Sequence, residues 1–415
     1  MKSRVLALIT AVMLALTCLN TAYAAGSASS KAKTAAQGNV IEVSLQTGSS
    51  RAKSNFRKLQ AALKKGGTGK LITVRIKKAG SYYVHSGGGG ALRLRSNTVL
   101  DLNGARLIRW GKMTNLLQNC NKKGKRTARG YSLSSNITVK NGTLDGSGGV
   151  KRQVNLVNIG HAANLTFSNL HFRNCRQGHL LELSGCKNVV VDHCSFSGHK
   201  GSTTSEAIQL DITKSGRGWN GIYAKGAGAD CTPCKNVTIS NCSFKDYPSG
   251  VGNHHAVKGH HNSNIKIINN QFTNKTSSNA PAIYCYAFDN SLVTGNVITG
   301  KYRYGIRVSG GSVTVKGNSI GTKNKKVKFR AIYVVRAHSN LKSGSNQVSE
   351  TVTGGCIDAN TVYSSYSEPP IFVSTSSHLM SVSDNYLYTD NPVSEEVVAV
   401  TQDCQVMRMS GNVRN

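Results

Sequence analysis

Asn236-Val-Thr-Ile239 is one copy of a short phrase that decides the fold of this 415-residue chain. The other copies are Asn136-Ile-Thr-Val139, Asn164-Leu-Thr-Phe167, Asn188-Val-Val-Val191 and Asn264-Ile-Lys-Ile267. Their first residues are 28, 24, 48 and 28 positions apart in chain order, and 48 is two periods of 24. A repeat of this length is typical of stacked repeat proteins, and the alternation of aliphatic residues indicates strands rather than helices. We therefore expect each repeat to form one coil of strands, stacked on the coil before it.

The first asparagine of each copy has a structural explanation. Asparagine adopts the left-handed backbone conformation more readily than most residues, and its amide can hydrogen-bond to the asparagine one coil away. We predict a structural column of asparagines without a catalytic role. A second turn position holds asparagine in four coils and His193 in another, which predicts that His193 is also a turn residue. The four asparagines are Asn141, Asn169, Asn241 and Asn269.

Residues 55–415 resemble the right-handed parallel β-helix, or pectin-lyase-like, superfamily. The resemblance rests on the repeated phrase, which at 236–244 reads Asn-Val-Thr-Ile-Ser-Asn-Cys-Ser-Phe, and on a helical pattern at Phe56, Leu59 and Leu63. It implies an all-β fold, a single-stranded right-handed parallel β-helix (solenoid) with a short N-terminal capping helix. The superfamily includes glycoside hydrolases, polysaccharide lyases, epimerases, phage tailspikes and non-catalytic adhesins, so the fold alone does not assign a function.

The N-terminal residues predict export. Met1-Lys-Ser-Arg4 is charged, Val5 to Leu16 is nearly all apolar, and Ala22-Tyr-Ala24 matches a signal-peptide cleavage site. We therefore expect a signal peptide over 1–24, a flexible segment over 25–50, and a β-helix domain over 51–415 in a secreted, extracellular protein. The mature chain contains no predicted transmembrane segment, and its oligomeric state is left open.

The chain is strongly basic. Its formal charge is +34, and removal of Lys2 and Arg4 leaves 34 − 2 = +32. The excess is clustered at Lys122 to Arg129 and at Lys323 to Arg330. Such a field favours polyanions outside the cytosol, including acidic polysaccharide, and the predicted export argues against nucleic acid as a partner. A solvated basic surface without a specific partner is the alternative.

Ten cysteines remain after signal cleavage, and they leave two interpretations open. An even number in an exported chain permits disulfides, whereas cysteines at equivalent repeat positions would stack as buried thiols. Cys231-Thr-Pro-Cys234 lacks a second pair, and His254-His255 and His260-His261 lack spaced carboxylates or thiols nearby. We therefore predict no metal site.

Each coil contains a second strand pattern whose third and fifth residues are predicted to point outward. Examples are Leu180-Leu-Glu-Leu-Ser184, Ala207-Ile-Gln-Leu-Asp211 and Ala256-Val-Lys-Gly-His260. The third positions are Asn158, Glu182, Gln209, Lys258, Tyr284, Arg307 and Tyr333. The fifth positions are Gly160, Ser184, Asp211, His260, Tyr286 and Ser309.

This alignment concentrates acidic residues in a chain that has only 18 of them. Carboxylates on adjacent coils push their pKa values apart, which divides the roles of acid and base between them. Neighbouring histidines and a lysine would offset this charge and transfer protons. The predicted catalytic residues are Glu182, Glu206, Asp211, His254, His260 and Lys258.

The 48-residue spacing adds two loops beside these residues, Gly198 to Ser205 and Lys214 to Asp230. Loops on one face of a stacked-coil protein commonly build its groove, and an exposed Trp219 would support a sugar ring. The predicted substrate-binding residues are Gln209, Trp219, Tyr284, Tyr286 and Arg307. The alternatives are that Trp219 packs against its own loop and that the tyrosines form a plain aromatic ladder.

The polygalacturonase-like hydrolases carry Asn-x-Asp, Asp-Asp, Gly-His-Gly and Arg-Ile-Lys on successive coils. This chain is similar in having Asp211, His254 and Gly305-Ile-Arg-Val308 in that order, but it lacks the Asp-Asp pair and the terminal lysine.

Three functions follow from these features. The first is a secreted polysaccharide-cleaving enzyme, a glycoside hydrolase that needs no cofactor. The second is a lyase on uronic acids, in which the acidic residues would hold Ca²⁺ and Lys258 or Arg307 would take a proton. The third is a non-catalytic rod that binds glycans or the cell wall.

Overall fold

The computed structural model describes residues 39–148, 155–201, 204–213, 230–321, 329–338, 349–364, 368–389 and 396–414. The predicted signal peptide, 1–24, therefore lies outside the described residues. The predicted flexible segment, 25–50, is wrong in its second half, because Asn39–Val43 is a strand paired in parallel with Ile72–Ile76. Val43 is buried and Ile41 packs against the core, as expected of alternating residues in a strand. The many small residues around them led to the prediction of a flexible segment.

The described residues form thirty strands, numbered β1 to β30 in chain order. Strands β1 to β10 are Asn39–Val43, Ile72–Ile76, Ser81–Val84, Leu92–Leu94, Thr98–Asp101, Arg106–Arg109, Leu117–Asn119, Ser134–Asp145, Val157–Arg176 and Leu181–Asp192. Strands β11 to β20 are Ser195–Lys200, Glu206–Asp211, Lys235–Ser240, Ser243–Lys245, Ser249–Gly252, Asn262–Ile268, Gln271–Thr294, Val297–Lys316, Ser319–Gly321 and Arg330–Val335. Strands β21 to β30 are Ala337–His338, Ser349–Glu350, Cys356–Asp358, Thr361–Tyr363, Ile371–Val373, His378–Ser383, Tyr386–Tyr388, Val398–Val400, Gln405–Ser410 and Val413–Arg414.

One short α-helix, α1 (Ala52–Leu63), follows a 3-10 turn at Ser49–Arg51. Its buried residues Leu59, Ala62 and Leu63 join the core below the first strands. The helix therefore covers the apolar end of the first coil, which would otherwise face water. In the described part of the chain, no helix is long and apolar enough to cross a membrane.

Twenty-eight of the strands belong to one sheet, and its strands pair in parallel from coil to coil. Only β21 and β22, among the described strands, form a separate antiparallel pair. One column of paired core residues comprises Leu117, Val157, Leu181, Ile208, Val251, Ile283, Ile306, Ile332, Ile371 and Val398. Each buried aliphatic side chain of such a column stabilises the fold by about 1.5–3 kcal/mol.

A second core column is aromatic. Phe172, Phe196, Phe244 and Phe272 pair in register on successive coils and are buried. Their ring centroids are 4.8, 4.9 and 4.5 Å apart, and the rings are within 8° of parallel. The stack fixes the strand register, because a slip of one residue would expose every ring.

The predicted asparagine column is confirmed. Asn136 donates from its amide to Asn97 Oδ1 at 2.7 Å, and the same bond recurs at 2.9–3.0 Å on the following coils. The later members are Asn164, Asn188, Asn236 and Asn264. All have positive φ, as has the predicted turn residue His193, with φ 50°.

A second, buried asparagine ladder was not predicted. Its side-chain amides bond from coil to coil at 2.9–3.0 Å, and each also donates to a main-chain carbonyl of the preceding coil. Its members are Asn270, Asn296, Asn318, Asn360, Asn385 and Asn412. The signal in the sequence is an asparagine directly after the left-handed turn residue of each coil, as in Gly295-Asn296 and Gly317-Asn318.

The ten cysteines of the described residues are free thiols. Cys186 and Cys234 are buried on neighbouring coils, as are Cys194 and Cys242, so these four pack as small apolar side chains.

Candidate active site

Two adjacent strands bring the predicted acidic residues together. In β10 and β12, Glu182 pairs with Gln209, and Ser184 pairs with Asp211. Glu206 is the first residue of β12. These acidic side chains are buried rather than open to solvent, because Glu182, Glu206 and Asp211 are 3, 2 and 0 % exposed. The predicted substrate-binding residue Gln209 is likewise buried.

The predicted alignment of Ala256 to His260 with this strand is wrong. The strand of that coil is β15, in which Gly252 pairs with Gln209 and Val251 pairs with Ile283. Lys258 and His260 instead lie exposed at a turn closed by an antiparallel bridge between Val257 and His260.

The physical reason is that two segments of this coil have the same pattern of small and apolar residues. Ala256 belongs to a separate apolar cluster beside the sheet, with Tyr286, Ala287 and Ala337, and Val257 is also buried. Because that cluster buries the apolar members of 256–260, the segment Ser249–Gly252 is left to form the strand.

Glu206 is ion-paired with histidine. His254 Nε2 lies 3.0 Å from Glu206 Oε2, and His179 Nδ1 lies 3.6 Å from the same oxygen. Burial would raise the pKa of Glu206, but the charge of His254 and its hydrogen bond hold that pKa below its usual range. Burial would lower the pKa of His254, yet Glu206 raises it to about 9. Glu206 and His254 are therefore both charged at neutral pH.

His179 completes this side of the site as a neutral imidazole. Burial lowers the pKa of His179 to about 4, despite the opposing charge of Glu206. Its Nδ1 lies 2.8 Å from the main-chain carbonyl oxygen of Glu206, which indicates the tautomer that donates to that oxygen. The sequence places His179 directly before the strand pattern that begins at Leu180, and no sequence pattern indicates its contact with Glu206.

Asp211 differs from its neighbour. Both of its carboxyl oxygens are buried, and neither receives a well-aligned hydrogen bond from the described residues. Burial raises the pKa of Asp211 well above its usual value, and the charges of Glu182 and Glu206 raise it further, against the effect of His254. Asp211 is therefore held in its protonated form to higher pH than an ordinary aspartate.

Glu182 is held by amides. Asn155 and Asn158 both donate to Glu182 Oε2, and the Ser184 hydroxyl lies 3.4 Å from Oε1. Burial raises the pKa of Glu182, and these amide bonds oppose the shift. Arg126 in turn donates to Asn158 Oδ1 at 2.8 Å.

Arg126 was counted in the sequence with the basic cluster Lys122 to Arg129, which was expected to face polyanions, yet it is 8 % exposed. Asn158 stood in the predicted third-position column, which was the signal that could have identified it. The structure thus adds Asn155, Asn158 and Arg126 to the surroundings of Glu182.

Two kinds of metal site can be tested on these residues. His179, Glu206 and His254 offer one ligand atom each within 4.8 Å, but the ion pair between His254 and Glu206 explains this arrangement without an ion. Calcium takes six to eight oxygen ligands. The predicted acidic set does not fit calcium, since Glu206 faces imidazole nitrogens and Glu182 faces amide nitrogens.

The third-position column continues beyond the acidic residues as half-buried rings and a guanidinium group. Tyr284, Arg307, Tyr333 and Phe372 pair in register on successive coils. The Arg307 guanidinium carbon is 5.0 Å from the ring centroid of Tyr284 and 5.6 Å from that of Tyr333. We call this set the arginine–aromatic stripe.

The two other predicted substrate-binding residues are not part of the stripe. Tyr286 does not lie on an open surface, because its ring is 4 % exposed and its hydroxyl donates to the His338 carbonyl oxygen at 2.6 Å. Tyr286 thus packs in the apolar cluster with Ala256. Trp219 lies outside the described residues.

Comparison with known proteins adds two kinds of relative. No protein family model matches the chain. Over 198 residues the chain is 28 % identical to plasmin and fibronectin-binding protein A of Streptococcus pneumoniae (strain ATCC BAA-255 / R6). The match covers 44 % of this chain and 26 % of that protein, so the chain spans about a quarter of its relative.

Solved structures share the architecture at low sequence identity. The surface adhesin PfbA of Streptococcus pneumoniae has a TM-score of 0.57 at 17 % identity, covering 82 % of this chain and 86 % of that one. The Yersinia enterocolitica family 28 exopolygalacturonase has a TM-score of 0.62 at 14 % identity, covering 92 and 77 %. The Thermotoga maritima exopolygalacturonase has a TM-score of 0.59 at 11 % identity, covering 90 and 92 %. With its parallel coil-to-coil register, the chain shares the right-handed parallel β-helix fold of these structures.

Proposed function

We propose that this protein hydrolyses a polysaccharide, with Asp211 as the general acid and Glu206 as its ionised partner. One observation carries the proposal: of two buried carboxyl groups in the same strand, Glu206 is ion-paired with His254, whereas Asp211 receives no well-aligned hydrogen bond from the described residues. Their pKa values accordingly shift in opposite directions. Glycoside hydrolysis needs one protonated and one ionised carboxyl group beside the scissile bond. A buried carboxyl without a well-formed hydrogen bond destabilises a fold, so its presence favours a chemical role.

The reaction would run as follows. The protonated Asp211 gives its proton to the glycosidic oxygen as the bond to the sugar breaks. The Glu206 carboxylate stabilises the positive charge that develops on the sugar, and then either activates water or forms a bond to the sugar carbon. His254 keeps Glu206 ionised and, being 35 % exposed, marks the side from which substrate reaches the cluster.

Glu182 has a supporting role in this proposal. Its oxygens are occupied by Asn155, Asn158 and Ser184, so it is not free to take a proton from substrate. Its proximity raises the pKa of Asp211, which keeps the acid protonated.

The arginine–aromatic stripe would hold the sugar chain beside the cluster. The half-buried rings of Tyr284 and Tyr333 offer apolar edges beside the cluster, and Arg307 carries a charge that suits an acidic sugar. The formal charge of +34 also favours an anionic polysaccharide. A secreted or surface location accords with this substrate, and two of the structural neighbours are exopolygalacturonases.

A second candidate is a binding protein without catalysis. It is favoured by the 28 % identity to a plasmin and fibronectin-binding protein and by the likeness to a surface adhesin. The lyase alternative has less support, because Lys258 lies at an exposed turn and the acidic residues do not fit calcium.

The test is cleavage of neutral and uronic-acid polysaccharides by the purified chain, followed by new reducing ends and by the ultraviolet absorbance of an unsaturated uronate. The Asp211→Asn and Glu206→Gln variants run beside Glu42→Gln, which removes a carboxylate at an exposed position. Reducing ends without absorbance, lost in the first two variants only, support hydrolysis. Absorbance would indicate a lyase, and retention on a glycan or on fibronectin without any cleavage would favour the binding protein.

A further inference from the structure

A second histidine, outside the candidate active site, joins two carboxylates from different parts of the chain. His261 Nδ1 lies 3.0 Å from Asp289 Oδ2, and His261 Nε2 lies 2.7 Å from Glu350 Oε2. Asp289 belongs to β17, on the next coil, and Glu350 belongs to the antiparallel pair β21–β22. The side chain of His261 is 13 % exposed, whereas those of Asp289 and Glu350 are 40 and 25 % exposed, so solvent screens the contact with Asp289 more than the contact with Glu350.

The bridge connects the β21–β22 pair to the loop 253–261, which also carries His254. The loop and the pair share a second connection through Tyr286. Asn253 donates to the Tyr286 carbonyl oxygen at 2.9 Å, and the Tyr286 hydroxyl donates to His338 in β21 at 2.6 Å. Four small or aromatic residues fill the space between them, namely Ala256, Tyr286, Ala287 and Ala337. The ionic bridge adds a charged contact to this apolar one.

The two distances favour a proton on both ring nitrogens. A neutral imidazole has one N–H and one lone pair, so it can donate to one carboxylate but must turn a lone pair toward the other. Only the imidazolium offers a donor to both Asp289 and Glu350. These two carboxylates are the titratable groups that face the ring, and both favour its charged form.

We propose that His261 is a positioning residue that, when protonated, fastens the loop 253–261 to the β21–β22 pair and so fixes His254 against Glu206, and that loss of its proton loosens the loop. The fastening itself does not depend on the proposed hydrolysis; only its effect on catalysis rests on that function.

The direction with pH follows from linkage. The carboxylates raise the pKa of His261 above its ordinary 6.5. The attachment is therefore fully present below pH 6.5 and is lost as the pH rises through the raised pKa of His261. The constant for opening of the loop rises by at most about tenfold for each pH unit by which the pKa is raised.

Hydrogen exchange of the full chain, measured by mass spectrometry from pH 5.5 to 9 and corrected for intrinsic exchange, tests this. In the wild type, protection of 253–261 and 349–352 should fall several-fold as the pH rises. In His261→Gln it should be low at every pH, and Glu350→Gln should behave similarly. His171→Gln, which replaces an exposed histidine of β9, should match the wild type.

The inference is overturned if wild-type protection does not change with pH or if His261→Gln is as protected as the wild type. Kinetics separate it from the proposed function. If the exchange results hold but no polysaccharide is cleaved, only the proposed hydrolysis fails. If cleavage occurs and His261→Gln leaves its kcat, KM and pH profile unchanged, the positioning role fails while the hydrolysis stands.

Discussion

A Cβ atom on Gly252 would lie 3.2 Å from Glu206 Cγ and 3.0 Å from Tyr284 Cβ. Gly252 lies in the third-position column, between Gln209 and Tyr284 on the adjacent coils. The missing side chain thus leaves room in the column, and Glu206 reaches into that room from the coil before it. The contact between Glu206 and His254 depends on this glycine.

Gly252→Ala should displace the Glu206 carboxylate. Alanine can adopt the backbone conformation of Gly252, but its Cβ would crowd Glu206 and Tyr284. We expect kcat/KM for polysaccharide cleavage to fall by up to about tenfold, because the neighbours must move by only a fraction of the displacement of about 1 Å that costs about a hundredfold. Gly88→Ala is the matched control, because a Cβ at Gly88 meets nothing within 4 Å. Equal kinetics of the two variants, with both folded by circular dichroism, would contradict this account of Gly252.

Asp211→Asn should separate activity from stability. The acid is lost, so cleavage should fall by about 10²- to 10⁴-fold. Stability should not fall, because ionising the buried Asp211 destabilises the folded state once the pH exceeds the ordinary aspartate range. At pH 7 we expect the melting temperature of Asp211→Asn to equal or exceed that of the wild type. A clear drop in melting temperature would mean that Asp211 has a structural partner instead.

The pH profile of kcat/KM should be a broad bell. Activity needs ionised Glu206, so it should be lost as the pH falls through that lowered pKa, below the ordinary glutamate value of 4.5. It also needs protonated Asp211, so it should be lost as the pH rises through that raised pKa. Initial rates across pH 3–10 would show both limbs. If activity were already lost as the pH rises through about 4, the ordinary aspartate range, Asp211 would be excluded as the acid.

His254→Gln should destabilise the fold in a pH-dependent manner. The ion pair with Glu206 raises the His254 pKa to about 9, so its contribution is fully present below pH 6.5 and lost as the pH rises through about 9. Because His254 is about a third exposed, solvent screening limits the cost to about 1 kcal/mol. Urea unfolding at pH 6 and 9.5 measures it, and a double-mutant cycle with Glu206→Gln isolates the pair. A cost that is equal at both pH values would argue against the ion pair.

Asn318→Leu should be among the most damaging changes to the fold. Asn318 is buried, donates to Asn360 Oδ1 and to the Val293 carbonyl oxygen, and accepts from Asn296. Leucine would leave these neighbours without partners, at a cost of about 2–4 kcal/mol in the free energy of unfolding. Asn188→Gly, in the exposed ladder, keeps the positive φ and should cost about 1 kcal/mol or less. Urea unfolding of the two variants compares the ladders directly.

The sequence predicted those features that depend on period and on local backbone conformation. The exposed asparagine column follows from a left-handed turn repeated every coil, and the adjacency of Glu182 to Gln209 follows from the same register. Lys258 and His260 were misplaced because 249–252 and 256–260 are equally compatible with a strand, and only the packing of Ala256 against Tyr286 decides between them.

Other features depend on contacts that are distant in sequence. The burial of Arg126 requires that its loop fold back onto Asn158, 32 residues away. The hydroxyl of Tyr286 finds its acceptor 52 residues away, in His338. No periodic pattern encodes either distance, so charge and aromaticity alone assigned both side chains to the surface.

Each inner amide of the buried asparagine ladder, from Asn296 to Asn385, meets a copy of itself above and below. The hydrogen bonds of such a ladder are therefore the same whatever the number of coils. We expect that a whole coil could be duplicated or deleted beyond Phe372, where the arginine–aromatic stripe ends, and that the joined ends would meet the same neighbours as before. The coils of Glu182, Glu206 and His254 lack that freedom, because each contributes a different group to one cluster. The number of coils can therefore change during evolution in one stretch of the molecule, whereas the chemistry of the acidic cluster fixes it in the other.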